Sequence, residues 1–140
     1  MFEFHGWFSI HEAPYFIEDG KMNSLTTQLK NYVAALEWGS GENNLYAEVR
    51  QMNGDVRLYV GGNKNHRGVI GDEIDQLLEW TARIAPGSYG LLYWRDDEGD
   101  LPAGPYNFQV KVMSRGEVVT RFDPFLSPFF PIVEDFYDPD

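Results

Sequence analysis

The chain has 140 residues, 43% of them hydrophobic and 16% aromatic, which suits one domain with a single core. Its 22 acidic and 11 basic residues give a formal charge of −11, which disfavours nucleic acid and anionic membranes as partners and favours basic proteins. The absence of cysteine excludes disulfides, thiol chemistry and cysteine-ligated zinc, and no leader or long apolar run is readable, so we expect a cytoplasmic protein.

The first two elements are predicted to be a strand and a helix. Apolar and polar residues alternate from Phe2 to Ile10, which predicts a strand with one face in the core. After a loop, either Asn23 or Ser24 is suited to cap a helix that ends before Gly39. The apolar residues that recur at helical spacing in this helix are Leu25, Leu29, Val33 and Leu36.

A hairpin is predicted around Asn53-Gly54, the strongest two-residue turn signal in the chain. It is flanked by two runs of strand character, 45–51 and 56–60. A two-residue loop places core residues opposite core residues, which supports this register. The predicted pairs are Val49 with Leu58 and Ala47 with Val60.

The next two elements are predicted to be a second helix and a central strand. The helix lies between a polar, glycine-rich loop at 61–68 and Pro86-Gly87, with Asp72 as its cap. Its buried stripe is predicted to contain Ile74, Leu77, Leu78, Thr81 and Ile84. Residues 89–94 are apolar on both sides, as is typical of a strand in the middle of a sheet.

The last hairpin allows two registers. A two-residue turn at Arg115-Gly116 would place Val110 opposite Arg121. A three-residue loop over 114–116 would instead pair apolar residues, Val112 with Val118 and Phe108 with Phe122. We therefore expect the three-residue loop, with Gly116 in the left-handed region.

The resulting order, β-α-β-β-α-β-β-β, predicts an α+β fold with a mainly antiparallel sheet and two helices on one face. This is a split βαβ or ferredoxin-like arrangement with extra strands, followed by an extended C-terminal tail rich in proline and aromatic residues. We expect residues 1–140 to form a single domain. The tail, 123–140, is expected to wrap the domain, because its prolines exclude a helix and its apolar side chains need burial. Those side chains are Phe125, Leu126, Phe129, Phe130, Ile132 and Val133.

Residues that could carry chemistry do not form a recognisable site in the sequence. The histidines His5, His11 and His66 lack the spacing of a zinc site, and the acidic run from Asp96 breaks the calcium-loop pattern. No nucleophile motif occurs, and the 61–68 loop matches neither phosphate-binding pattern. We therefore expect no metal, no cofactor and no enzymatic activity. A small hydrolase that pairs His5 or His66 with a carboxylate stays open as an alternative.

RNA binding is a further alternative, because RNA-recognition domains share the βαββαβ order. Trp7, Tyr46 and Tyr59 could share the open face of the sheet. Glu3 and Glu48 would share that face as well, and no strand carries the aromatic RNA-binding motif. We therefore favour a face that is covered by the tail or that binds protein. A structural or adaptor domain in which the tail and the open face dimerise is a third alternative.

Three segments carry a resemblance that spans nearly the whole chain. They are the opening MFEFHGW at 1–7, GLLYWRDDE at 90–98, and DPFLSP at 123–128 followed by Pro131, Glu134 and Asp135. Together they resemble the immunity protein 7 family of bacterial polymorphic toxin systems. The resemblance implies a cytosolic antidote that binds and neutralises a cognate C-terminal toxin domain. It does not identify the toxin's activity.

An acidic, aromatic-rich domain is suited to bind a basic toxin such as a nuclease, whose substrate groove holds phosphates. We expect contacts from two patches that combine carboxylates with a tryptophan. The first contains Trp94, Asp96, Asp97, Glu98 and Asp100, and the second contains Glu73, Asp75, Glu79 and Trp80. The sequence does not indicate an oligomeric state.

Overall fold

The computed structural model describes residues 1–17, 20–39, 44–99 and 106–128. Within these ranges the chain forms six strands and two helices. They are β1 (Phe2–Ile10), α1 (Met22–Ala34), β2 (Leu45–Met52), β3 (Asp55–Lys64), α2 (Gly68–Ile84), β4 (Tyr89–Asp96), β5 (Gln109–Ser114) and β6 (Glu117–Phe122).

The six strands form one antiparallel sheet in the order β2-β3-β1-β4-β5-β6. Both helices pack on one face, and the other face, which we call the open face, carries no helix. The first four strands in space, β2-β3-β1-β4, follow the ferredoxin-like order, and β5 and β6 extend the sheet beyond β4. The predicted α+β class and the order of elements are confirmed.

The core lies between the helices and the sheet. Alternate residues of β1 point into it, including Phe4 and Phe8, which are fully buried. The helices contribute the stripes that their 3.6-residue period predicts, with Leu29 of α1 and Leu77 of α2 at 1% and 0% exposure. Burying apolar surface of this kind contributes roughly 25 cal/mol per Å². This one continuous core holds the two helices and the central strands in fixed positions.

The β2–β3 hairpin has the predicted register. Ala47 pairs with Val60 and Val49 with Leu58, so the prediction is confirmed. Asn53 and Gly54 have φ of 52° and 83°, the backbone of a type I′ turn, whose twist suits two-residue hairpins.

The predicted loop of the β5–β6 hairpin is wrong. Arg115 and Gly116 form a two-residue turn with φ of 51° and 81°, and Val110 lies opposite Arg121. The prediction relied only on pairing apolar residues with one another. In the structure the helix side of β5 carries the buried Met113 and Lys111, whose ammonium pairs with Asp75 on α2 at 2.8 Å. The apolar alternation of β5 therefore belongs to the open face.

Both helices begin earlier than predicted. The first residue of α1 is Met22, and α2 begins at Gly68, so Asp72 lies inside the helix and does not cap it. The Asp72 carboxylate instead accepts a hydrogen bond from the guanidinium of Arg67, the residue before the helix, at 2.9 Å. The Asp72 side chain therefore contacts the residue before the helix without capping a backbone N–H.

The first part of the C-terminal tail turns back towards the sheet as far as Pro128. Phe125 and Leu126 are 82% and 59% exposed, so the burial predicted for these two side chains is wrong. The other tail residues expected to be buried, and the tail beyond Pro128 as a whole, lie outside the described residues. The expectation that the tail wraps the domain therefore stays a prediction.

Candidate partner-binding surface

The first predicted patch lies at the end of β4 and in the turn that follows it. Trp94 is half-buried on the helix side of the sheet, with its ring 6.4 Å from that of Phe2. Asp97 and Glu98 are exposed at 38% and 54% of their side-chain surface. Asp96, in contrast, is buried, and its carboxylate accepts the Glu98 backbone N–H at 3.0 Å. Asp100 lies outside the described residues.

The exposed carboxylates of this patch have partners inside the chain. The amino-terminal ammonium of Met1 contacts Asp97, and this hydrogen-bonded charge lowers the pKa of the Asp97 carboxyl. Glu98 lies 2.8 Å from Nδ1 of His66. A basic partner would therefore compete with these contacts for the two carboxylates.

The second predicted patch lies along α2. Glu73 accepts a hydrogen bond from the indole N–H of Trp38 at 2.7 Å, and Glu79 is exposed. Asp75 is held by two cations, Arg67 and Lys111, at 2.8 Å each. Trp80 is half-buried between the helices, with its ring 4.5 Å from that of Tyr32.

The fold brings one residue of each patch to a shared cavity. A cavity of about 170 Å³ has Trp94 from the first patch and Asp75 from the second in its wall, with Arg67 and Lys111 beside them. The contact between His66 and Glu98 also joins the segment before α2 to the turn after β4. Trp94 and Asp75 thus meet at one cavity, whereas Glu73 and Trp80 contact Trp38 and Tyr32 on the other flank of α2. We call the two patches together the acidic helix-side surface.

The open face of the sheet has a different character. The strand register aligns one residue from each strand in a single row, and all but the first are apolar. In spatial order the row reads Glu48, Tyr59, Trp7, Leu91, Val112 and Val119. Tyr46 and Tyr89 lie on the same face, and both are more than 40% exposed. The predicted sharing of this face by Trp7, Tyr46 and Tyr59 is confirmed.

Charges on the open face compensate one another locally. Arg95 contacts Glu3, and Glu48 pairs with Arg50 at 3.3 Å. Burial raises the pKa of the Glu3 carboxyl, but hydrogen bonds and charge from Arg95 and His5 outweigh it, so the pKa is lowered. On this face, Arg95 and Arg50 are thus each paired with a carboxylate, Glu3 and Glu48. A platform for RNA would instead present unneutralised positive charge.

The start of the tail is organised by Asp123, which sequence reasoning treated only as part of a signature. Its carboxylate is fully buried and accepts hydrogen bonds from the Tyr93 hydroxyl, the Ser127 hydroxyl and two backbone N–H groups, at 2.9–3.2 Å. Burial raises the pKa of Asp123, but these donors prevail and lower it. Ser127 in turn accepts the Phe108 backbone N–H at 2.9 Å.

Sequence reasoning also missed an aromatic cluster beside the loop between β1 and α1. His11 stacks on Tyr89 at 5.6 Å, and Tyr89 meets Trp7 edge-on at 6.3 Å. Tyr15 and Phe16 on the loop are 72% and 91% exposed. Only the high aromatic content of the chain could have hinted at this cluster, because its members are distant in sequence.

The described ranges contain neither a metal-binding cluster nor a helix that could span a membrane. There, no group of three or more His, Asp or Glu side chains is arranged to hold a metal ion. Neither helix has the length and apolar character that crossing a membrane requires.

The six-stranded sheet, the two helices on one face and the acidic helix-side surface define an acidic α+β domain of ferredoxin-like order. The chain belongs to the immunity protein 7 family, because the family model matches residues 1–135. It is therefore an immunity protein against a toxin. No curated protein and no solved structure matches the chain.

Proposed function

We propose that the chain binds the C-terminal domain of a cognate polymorphic toxin, a basic nuclease, and neutralises it by covering its active surface. The observation that carries the proposal is the family match over 1–135, and the net charge of −11 supports the class of toxin. A nuclease holds phosphates with cationic side chains, and an acidic protein can occupy the same groove. Inhibition then requires binding alone, without catalysis.

The acidic helix-side surface is the proposed contact. Its exposed carboxylates, Asp97 and Glu98 at the sheet end and Glu79 on α2, would attract a basic domain from a distance. Glu73, Asp75 and Asp96 are more enclosed, and they support the surface through Trp38, Arg67 and the turn backbone. The proposed role of these three is to hold the surface in shape at its centre.

Trp94 and Trp80 are the proposed anchors. Tryptophan contributes large binding energies at the centre of interfaces, where water is excluded. The cavity beside Trp94 is lined by Arg67 and Lys111 as well as by apolar side chains, and its volume of about 170 Å³ is close to that of one side chain. A toxin residue that enters this cavity would contact both a ring and charged groups.

The first experiment is co-purification with the C-terminal domain of the protein encoded by the adjacent upstream gene, followed by binding kinetics at low and high salt. We expect a 1:1 complex whose association slows as salt rises, because screening weakens steering between opposite charges. In the Glu79→Gln/Glu98→Gln variant the association rate should fall roughly two- to tenfold at low salt, and its salt dependence should flatten.

The matched control is Glu48→Gln/Glu117→Gln, which removes two exposed carboxylates from the open face. It should leave the association rate near that of the unchanged chain. Equal slowing by both variants would contradict the proposed surface but not the proposed function. If the toxin domain bound at neither salt concentration and the chain failed to protect cells that express it, the proposed function would be wrong.

A further inference from the structure

The end of the described chain is fixed on the open face. Asp123 accepts four hydrogen bonds that close the turn 123–127, and one of them comes from Tyr93 on that face. The Ser127 hydroxyl then binds the backbone of Phe108, whose ring lies 5.9 Å from that of Tyr93. The twelve residues that follow Pro128 therefore start beside Phe108, at one end of β5.

Most of the open-face surface between this point and the far end of β5 is apolar, although the exposed Arg121 lies beside the buried Val110. Beyond Phe108, the open-face residues of β5 are Val110 and Val112, and Leu91 and Val119 flank Val112 on the neighbouring strands. Val119 is 38% exposed, Leu91 and Val112 are half-buried, and among the described residues no helix covers this side of the sheet. A continuous strip of partly exposed apolar side chains is suited to be covered by another segment.

The far end of β5 opens into an aromatic groove with a volume of about 500 Å³. Tyr15, Phe16, Tyr89 and His11 form its walls, and Arg115 of the β5–β6 turn lies at its rim. None of the described residues that line the groove is acidic. In a chain with a net charge of −11, this groove is suited to a segment that carries carboxylates together with aromatic side chains.

We propose that residues 129–140 of the same chain lie along the open face over β5 and end in this groove. From Phe108 to Ser114 the strand covers about 20 Å, because each residue advances about 3.3 Å. An extended segment needs about six residues for the same distance, which places position 134 near Arg115.

The sequence of the segment matches this path. Residues 129–133 read Phe-Phe-Pro-Ile-Val, all apolar, and would lie over the apolar strip. Glu134 and Asp135 follow where Arg115 is available, and Phe136 and Tyr137 come next, where the groove walls are aromatic. Covered in this way, the open face is closed to partners, and the acidic helix-side surface is the face that remains available.

Disulfide trapping tests the position of the segment in the full-length chain, because the chain contains no cysteine. The variant Ser114→Cys/Asp135→Cys should form an intrachain disulfide at least tenfold faster than the control pair Gln28→Cys/Asp135→Cys, whose first position is exposed on α1. Equal rates would overturn the proposal. Disulfides that form only between chains, and more slowly on dilution, would show that the groove binds the segment of a second copy. That result would also overturn the proposal.

Chymotrypsin digestion tests the role of Arg115. In Arg115→Glu, cleavage after the aromatic residues of 129–137 should be several-fold faster than in the unchanged chain. The new carboxylate at position 115 would repel the carboxylates of Glu134 and Asp135 and release the segment. Arg50→Glu reverses a charge on the same face at the opposite edge and should not change the rate. The proposal fails if Arg115→Glu is cleaved no faster than Arg50→Glu while both retain the far-ultraviolet spectrum of the unchanged chain.

Discussion

A single buried carboxylate explains why the segment DPFLSP is a structural unit. Asp123 satisfies two backbone N–H groups of its own turn and two hydroxyls, one from β4 and one from Ser127. A carboxylate at this point can accept all four hydrogen bonds at once, which no neutral side chain of similar size can do. The same contacts raise the pKa of the Tyr93 phenol, since burial and the nearby Asp123 charge both oppose its ionisation.

Replacing this carboxylate should destabilise the protein in a pH-dependent way. We expect Asp123→Asn to lower the free energy of unfolding by about 1–3 kcal/mol at pH 7, because the new amide group faces hydrogen-bond donors. The folded-state pKa of Asp123 is lowered, so its stabilisation is present above the unfolded pKa of about 4 and is lost as pH falls through the folded value. Urea unfolding at pH 7 and pH 3 measures both effects.

The difference in unfolding free energy between Asp123→Asn and the unchanged chain should therefore be smaller at pH 3 than at pH 7. Tyr93→Phe is the matched control, because it removes one of the four donors and leaves the carboxylate in place. Tyr93→Phe should lower the free energy of unfolding by less than Asp123→Asn does. A difference between Asp123→Asn and the unchanged chain that is as large at pH 3 as at pH 7 would show that the charge of Asp123 is not the stabilising feature.

At the scale of elements, β1 and β4 approach more closely at Gly90 than a side chain permits. A Cβ added at Gly90 would lie 2.1 Å from the backbone oxygen of Trp7 and 2.7 Å from the Cα of Phe8. Because backbone atoms cannot move aside as a flexible side chain does, one of the two central strands would have to shift. Glycine at this position therefore sets the spacing of the sheet centre.

We expect Gly90→Ala to lower the free energy of unfolding by about 2 kcal/mol or more, within the range of overpacked core sites. Gly99→Ala is the control, since the added Cβ there makes ordinary contacts at 3.4 Å and φ needs no left-handed conformation. Its effect should stay within about 0.5 kcal/mol, as for surface substitutions. Thermal denaturation of the two variants compares them directly, and equal midpoints would contradict the proposed spacing role.

The elements that followed simple patterns could be predicted from the sequence, and the exceptions have physical causes. Alternation identified β1, and Asn53-Gly54 fixed the β2–β3 register, because these residues accept positive φ at low cost. The β5–β6 turn could not be predicted in the same way, because Arg115 adopts a left-handed backbone that its residue type disfavours. Which face of β5 meets the helices becomes visible from the contact of Lys111 with Asp75 and from the burial of Met113 in the core.

The candidate site was predictable as composition but not as geometry. The sequence shows that carboxylates surround Trp94 and Trp80, yet it cannot show that Asp96 is buried or that Asp75 lies between two cations. Those facts depend on contacts between α2, β4 and β5, which are distant in sequence. Three of the four donors to Asp123 lie in its own turn, but the fourth, Tyr93, is distant in sequence, so the attachment of this turn to the sheet could not be read from the neighbouring residues.

The whole molecule has two unlike faces that share one sheet. Trp7 lies on the open face, whereas Trp38, Trp80 and Trp94 lie on the helix side, so tryptophan fluorescence is sensitive to both faces. Since β1 contributes Phe4 and Phe8 to the core and Trp7 to the open face, neither face can lose its structure while the other keeps it. The proposed partner surface and the proposed tail site should therefore depend on the same folding equilibrium.

Unfolding should accordingly be a single cooperative transition. We expect urea midpoints from far-ultraviolet circular dichroism and from tryptophan fluorescence to coincide in the unchanged chain, as they do for two-state domains of this size. The variant Trp7→Phe leaves only helix-side tryptophans and should give coincident midpoints as well. Separate transitions for the two probes would show that one face unfolds independently.

The central place of β1 also determines when the chain can fold during its synthesis. β1 precedes the other described elements in the sequence, but its hydrogen-bonding neighbours are β3 and β4. Until residues up to Asp96 have emerged from the ribosome, the apolar face of β1 has no complete partner, and folding that relies on such distant pairs is slow. We therefore expect a chain interrupted before Asp96 to be unable to form the sheet that both proposed surfaces share.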